Sequence, residues 1–436
     1  MTLRNFPKIL SLLFLLIVVV SCKKKDDSTD QVDANISCTF LSPAVGTTFN
    51  FGDVINFTVK LTSNLTIEKV DVYIASTPSF ATLDTRRFFP NQKDCQLSGT
   101  ISLSSYFVQA GNYSLKVVVR VNGQDFTYMQ GFSYAGCPRV STGLVFFAPT
   151  TPAVSGPQFK LYSTTNSIPE EHLIRGDFGF GGAFSADQKI QVFLKDGGIK
   201  TLGIWDSFSE DYQASLTGTG NIQPVAYYND FQNSYIACSD GNIQGIDYHC
   251  QRFFQTGSNQ YLQLHHIVKG SDFVLADFFK PSTGERKLGT FYYPSGVANS
   301  ELIIDFEVSS LLIDSSGNLF VVGNRNQHGL IYQYDRVTDS LQLLRDQAGI
   351  EYRSAIWAGG PIFICTDQGI WKYTTSSGAV NTSSLSAWNG VYDETLDVLY
   401  LNTGYAVHQI AAGSFQDLNQ YPSTDSITGL CVVYNR

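Results

Sequence analysis

The sequence predicts an all-β protein, a β-sandwich in the first third followed by a closed ring of repeated four-stranded sheets. Three observations carry that expectation. The 436 residues are 43% apolar and 13% aromatic with 37 Gly, the composition of many short strands joined by many turns. Strand-like runs punctuated by turn residues fill residues 36–134. Beyond residue 140, one four-strand pattern recurs at a spacing of roughly forty residues. A chain of this length exceeds what one hydrophobic core serves, so two domains are expected.

The first stretch is an export signal. Arg4 and Lys8 precede an apolar run from Ile9 to Val20, interrupted only by Ser11 and ending at Ser21-Cys22. The run is too short to span a bilayer and stay. Val19-Val20-Ser21-Cys22 resembles a bacterial lipobox, which implies cleavage between Ser21 and Cys22 and lipidation of Cys22 as the first residue; two or more acyl chains would anchor the chain firmly. Lys23-Lys24-Lys25-Asp26-Asp27 resembles the export tag of Bacteroidetes-type surface lipoproteins, which implies the outer membrane, facing the cell exterior. Removing Arg4 and Lys8 with the leader changes the net charge from −9 to −9 − 2 = −11. Residues 23–35 read as a flexible tether.

Residues 36–136 form the first folded domain. The runs ISCTF, VINFTVKL, IEKVDVYIA, ISLSSYF and YSLKVVVRV alternate with turns, and Asn122-Gly123 is a two-residue hairpin signal joining Tyr113–Val121 to Asp125–Phe132. About seven strands in a hundred residues suit a β-sandwich. Ala110-Gly111-Asn112-Tyr113, ahead of the penultimate strand, resembles the Ig-like and PKD-like modules of surface lipoproteins, which implies a spacer. Arg86-Arg87-Phe88-Phe89 reads as its one unusual loop.

From residue 140 the repeat takes over. LVFFA (144–148), IQVFL (190–194), YIACS (235–239), FVLAD (273–277), LFVVG (319–323), IFICT (362–366) and VLYLN (398–402) are successive apolar strands, each followed by a hairpin partner. Ser309–Leu344 shows the whole unit, with strands at Leu311–Asp314, Leu319–Val322, Leu330–Tyr334 and Leu341–Leu344. Four strands per unit is the β-propeller signature. Residues 426–434 form a strand with no hairpin after it, and LVFFA opens the domain with no strand before it. The two complete one blade and leave no open edge. Residues 140–436 resemble seven-bladed propellers of NHL or WD40-like character; six or eight blades stay open, because Pro149–Gly156 and Asn166–Gly182 blur the first blade.

Acidic residues outnumber basic ones, 38 to 29, without a basic stripe, which excludes a nucleic-acid partner. Asp196-Gly197, Asp240-Gly241, Ser316-Gly317 and Asp367-Gln368-Gly369 lack the alternating acids of a calcium loop and read as turns. No G-x-S-x-G, H-E-x-x-H or P-loop occurs. No cofactor and no metal are expected. His265 and His266 are adjacent on a strand, so they are expected to point to opposite faces. Cys238, Cys365 and Cys431 read as small buried residues. Cys38, Cys95 and Cys137 are candidates for one disulfide in an oxidising compartment. Asp339-Ser340-Leu341 and Asp425-Ser426-Ile427 resemble O-glycosylation sites of Bacteroidetes-type exported proteins.

In a propeller the first strand of each blade lines a central channel, and the loops leading into those strands form one face. The ligand-binding candidates there are Arg175, Asp177, Tyr227, Tyr228, His265, Arg353, Trp357, Trp388, Asn389 and Thr428. Aromatic faces beside Arg, Asp and Asn suit a sugar, whose C–H faces stack and whose hydroxyls need two-way partners. The expected function is non-catalytic binding of an extracellular glycan or protein partner, with the membrane met only through the lipid anchor. Two alternatives stand beside it. One is a hydrolase or lyase acting on sugars or lactones, with Asp177, His265 and Arg353 as acid, base and charge stabiliser. The other is a structural subunit of a surface complex.

Overall fold

A computed structural model describes residues 33–76, 82–103, 108, 110–150, 156–164, 169–183, 189–204, 207–218, 221–230, 233–258 and 263–435. The leader, Cys22 and most of the tether lie outside the described residues. Every described element is a strand. The chain divides into two compact units, the first ending at Ala135 and the second beginning at Gly136.

The first unit holds β1 (Ile36–Ser42), β2 (Thr48–Phe49), β3 (Val54–Ser76), β4 (Thr82–Phe88), β5 (Gln92–Ser102), β6 (Gly111–Val121) and β7 (Gln124–Tyr134). These join in one seven-stranded sheet built on β3. The first half of β3 pairs with β1 and β5, its second half with β4 and β6. The sandwich expectation assumed separate strands for VINFTVKL and IEKVDVYIA; they are one strand of 23 residues. Their apolar phase misled because it flips: Ile55, Phe57, Val59, Leu61 and Ile67 are buried, then Val70, Val72 and Ile74. A register shift between Ile67 and Lys69 inserts the extra residue and lets both halves bury.

The Asn122-Gly123 hairpin forms as expected. Both residues have positive φ, 49° and 73°, the geometry that follows the strand twist and that a residue without Cβ adopts freely. Arg86 and Arg87 lie within β4 rather than in a loop, Arg87 bonding Asp71 of the paired strand at 2.6 Å. Their charge is locally used. Cys38 and Cys95 sit opposite Leu61 on either side of β3, two strand spacings or about 10 Å apart, beyond disulfide reach. Both are free thiols, as is Cys137 of the second unit.

The second unit is a seven-bladed propeller, seven antiparallel sheets of four strands each. The innermost strands are Phe178–Ala183, Pro224–Asn229, Gln263–Lys269, Glu307–Ile313, Ser354–Trp357, Asn389–Asp393 and Gly429–Tyr434. Each abuts the next, and the last abuts the first. The ring closes as expected: Gly429–Tyr434 pairs with Ser141–Pro149, with Leu430 opposite Phe146 and Val432 opposite Leu144.

Each adjacent pair of blades shares a buried cluster. Val145 and Phe147 point into the interface with the second blade, whereas Leu144, Phe146 and Ala148 point into that with the seventh. Phe320 and Val322 likewise face one neighbour, Leu319 and Val321 the other. A strand buried on both faces must be apolar throughout, so the second strand of every blade reads as a continuous run. The turn acids stay local: Asp196 accepts the Gly198 N–H at 2.9 Å, and Asp314 accepts the N–H groups of Ser316 and Asn318.

Candidate functional site

The channel opens at two ends, which differ in chemistry. The N-terminal mouth lies where the innermost strands begin. It is a cavity of about 320 Å³ lined by Phe180, Val225, Ala226, Tyr227, His265, His266, Asn389, Gly390, Val391, Thr428, Gly429 and Leu430. The C-terminal mouth, where those strands end, is larger at about 600 Å³. Tyr227, Val391 and Leu430 line both cavities and form the waist between them.

A β-bulge shapes the N-terminal mouth. Leu264 pairs with Phe278 and Ile267 with Ala276, so His265 and His266 together oppose Asp277. Strict alternation fails at this point, and both imidazoles line the cavity. Asp277 is 3% exposed, and its Oδ1 accepts the backbone N–H of His266. It also lies 3.3 Å from His266 Nδ1. The acid at the end of FVLAD, an otherwise apolar strand, was the signal in the sequence for this device. Asp277→Ala should lower stability by about 1–3 kcal/mol by leaving a buried N–H unpaired. Asp277→Asn keeps an acceptor and should lose less in urea unfolding; equal losses would contradict the bulge's dependence on this acceptor.

Asn389 brings an acceptor with nothing bound to it. Its Oδ1 is buried and has no hydrogen-bond partner among the described residues. Trp388, the preceding residue, is 56% exposed, and the Arg353 guanidinium stacks 4.2 Å from its ring. Arg353 is further held by Ser386 Oγ at 3.1 Å. A flat, exposed indole thus immediately precedes Asn389 in the chain, outside the residues that line the cavity.

The candidates therefore separate. Tyr227, His265, Asn389 and Thr428 meet in the N-terminal mouth, while Arg353 and Trp388 stack on each other outside its lining. Trp357 ends its strand at the opposite mouth, stacked on Phe320 at 5.7 Å. Arg175 ends the outermost strand of the first blade, Glu170–Arg175, far from the innermost position in the sheet order. Asp177 pairs with Lys195 at 3.1 Å. The triad of Asp177, His265 and Arg353 does not assemble, because only His265 lines the cavity and the two other charges are engaged elsewhere.

At the C-terminal mouth the sequence pointed to Trp357, Tyr227 and Tyr228 alone. Arg139, Asp314, Tyr392, Glu394 and Tyr434 also line it. Arg139 lies ahead of the first blade, and its guanidinium sits 3.7 Å from the Tyr434 ring centroid while paired with Glu394. Burial pushes the Tyr228 phenol up to about 12 and the Cys431 thiol at the cavity floor to about 12, and raises Tyr227 further, so all three stay neutral. The ends of innermost strands were the positional signal for these residues.

No family model and no curated protein matches the chain. Among solved structures, it is similar to the computationally designed Ika8 protein, at 14% identity over 66% of this chain and 90% of that one, with a TM-score of 0.45. It is also similar to Sqt1 of Saccharomyces cerevisiae, at 12% identity over 66% and 88% of the two chains, with a TM-score of 0.43. The blade count rests on the hydrogen-bonded sheets of this structure.

Proposed function

We propose that the protein is a non-catalytic surface lipoprotein, anchored through Cys22 in the outer membrane, that captures an extracellular glycan at the N-terminal mouth of its propeller. The observation that carries this reading is the unpartnered Asn389 Oδ1 in a cavity with Tyr227, His265, His266 and Thr428, preceded in the chain by the exposed Trp388. A sugar hydroxyl donates to the amide oxygen, Thr428 and the imidazoles donate or accept, and Trp388 stacks against a C–H face. Among the described residues the lining of this mouth holds no carboxylate, which suits a neutral ligand. The first unit, read as an Ig-like spacer, stands in the chain between the lipid anchor and the propeller. The catalytic alternative loses support because its acid and its charge stabiliser stand outside the cavity.

A glycan array followed by calorimetry on the soluble chain, residues 23–436, without the lipidated Cys22, tests the reading. Asn389→Ala and Trp388→Ala should each weaken binding about tenfold, the size of one buried hydrogen bond or one aromatic contact. Arg175→Ala should bind as the parent does. Turnover of a bound glycan, or variants at Asn389 and Trp388 that bind unchanged, would overturn it.

A further inference from the structure

The C-terminal mouth is lined by five aromatic side chains and carries a net negative charge. Tyr227, Tyr228, Trp357, Tyr392 and Tyr434 line it, over a floor that includes Val391 and Leu430. Its polar groups are largely engaged within the protein. Asp314 Oδ1 accepts two N–H groups of its own turn, and Oδ2 accepts from Asn318 Nδ2 at 2.7 Å. The Tyr392 hydroxyl donates to Asp397 Oδ1 at 2.9 Å. A polyol would find few partners here. The lining carboxylates of Asp314 and Glu394 against Arg139 sum to 1 − 2 = −1, within a chain of net charge −9, so an anion is repelled. One cation is already seated: Arg139 lies against the face of Tyr434 and beside Glu394.

We infer that the C-terminal mouth is a second binding site, separate from the glycan mouth, for a small organic cation whose quaternary ammonium group needs aromatic faces and no hydrogen bonds. The negative faces of the rings attract the charge, and the gain grows as the group leaves water. The methyls rest on the aliphatic floor, and the net charge of −1 carried by Asp314, Glu394 and Arg139 together supplies the counter-charge. A cavity of about 600 Å³ also accommodates an aliphatic body attached to the ammonium group.

Choline is the probe, and 3,3-dimethylbutan-1-ol, the same shape without charge, is its control. Calorimetry on the same soluble chain should show saturable one-to-one choline binding, with the neutral isostere at least about tenfold weaker. Tyr392→Ala should weaken choline about tenfold and Glu394→Gln several-fold, whereas Asn389→Ala should leave it unchanged. Trp357→Phe keeps a ring on Phe320 and should give a smaller loss, so the test survives if Trp357→Ala does not fold. Equal affinity for the neutral isostere, absence of saturable binding, or loss of choline binding in Asn389→Ala would each overturn the inference. The last result would also place the ligand in the other mouth, so failure here leaves the glycan reading to its own experiment.

Discussion

Removal of residues 426–436 is expected to abolish cooperative melting of the propeller while the first unit still unfolds as a separate transition. The deleted segment supplies the innermost strand of the first blade and its hydrogen bonds to Ser141–Pro149. It also removes Asn435, which accepts from Val140 N at 2.8 Å and donates to Pro138 O at 3.0 Å. Ile427, Leu430, Val432 and Val433 are all at most 7% exposed. At roughly 1.5–3 kcal/mol for each buried aliphatic, their joint loss is on the order of 6–12 kcal/mol. That is comparable with the whole stability of an ordinary domain, about 5–15 kcal/mol. The inner edge of Ser141–Pro149 loses its only inner partner at the same time, which favours aggregation. Differential scanning calorimetry of the parent and the truncated chain makes the comparison; a truncated chain that keeps both transitions would contradict closure by this strand.

Phe147→Ala is expected to cost about 3–5 kcal/mol, the range for truncating a fully buried aromatic. Phe147 is 0% exposed and stacks on Phe178 of the second blade, with ring centroids 4.6 Å apart. Its carbonyl accepts the Thr428 N–H at 2.9 Å, so the residue ties the closing strand to a neighbouring blade. Phe147→Leu retains most of the volume and should lose markedly less. Urea unfolding followed by the propeller transition measures both, and a change below about 1 kcal/mol for the alanine variant would show that the interface collapses around the gap.

The repeat and its closure were legible because they follow from burial. LVFFA, IQVFL and LFVVG are apolar without alternation, since both faces of a second strand pack against neighbouring blades. The unpaired strands at the two ends of the repeat had one way to satisfy their ladders. The first unit was less legible. In Val54–Ser76 the apolar phase breaks near Lys69, and a phase break reads equally as a turn or as a bulge within one strand.

The candidate site divided along the same line. His265, Tyr227 and Asn389 were reachable because the beginnings of innermost strands always face the channel. His266 was assigned to the opposite face by strict alternation, and the bulge held by Asp277 brings it back. Arg175 was placed at the channel because the blurred first blade concealed that Glu170–Arg175 is its outermost strand; Asp177 does precede an innermost strand, Phe178–Ala183, but its carboxylate is engaged by Lys195.

The hydrogen-bonded sheets settled the count of seven blades, while the sequence by itself determined the all-β class, the four-strand repeat and the partnership between residues 426–434 and Leu144–Ala148. These depend on hydrophobic period and local turn chemistry, which a single chain displays directly. Only the tertiary structure decided that Arg353 stacks on Trp388, that Asp177 is spent on Lys195, and that the channel has two mouths of different charge and polarity. Such facts depend on which side chains meet across blades far apart in sequence, and on single-residue register shifts. Hydrophobic periodicity carries no record of either.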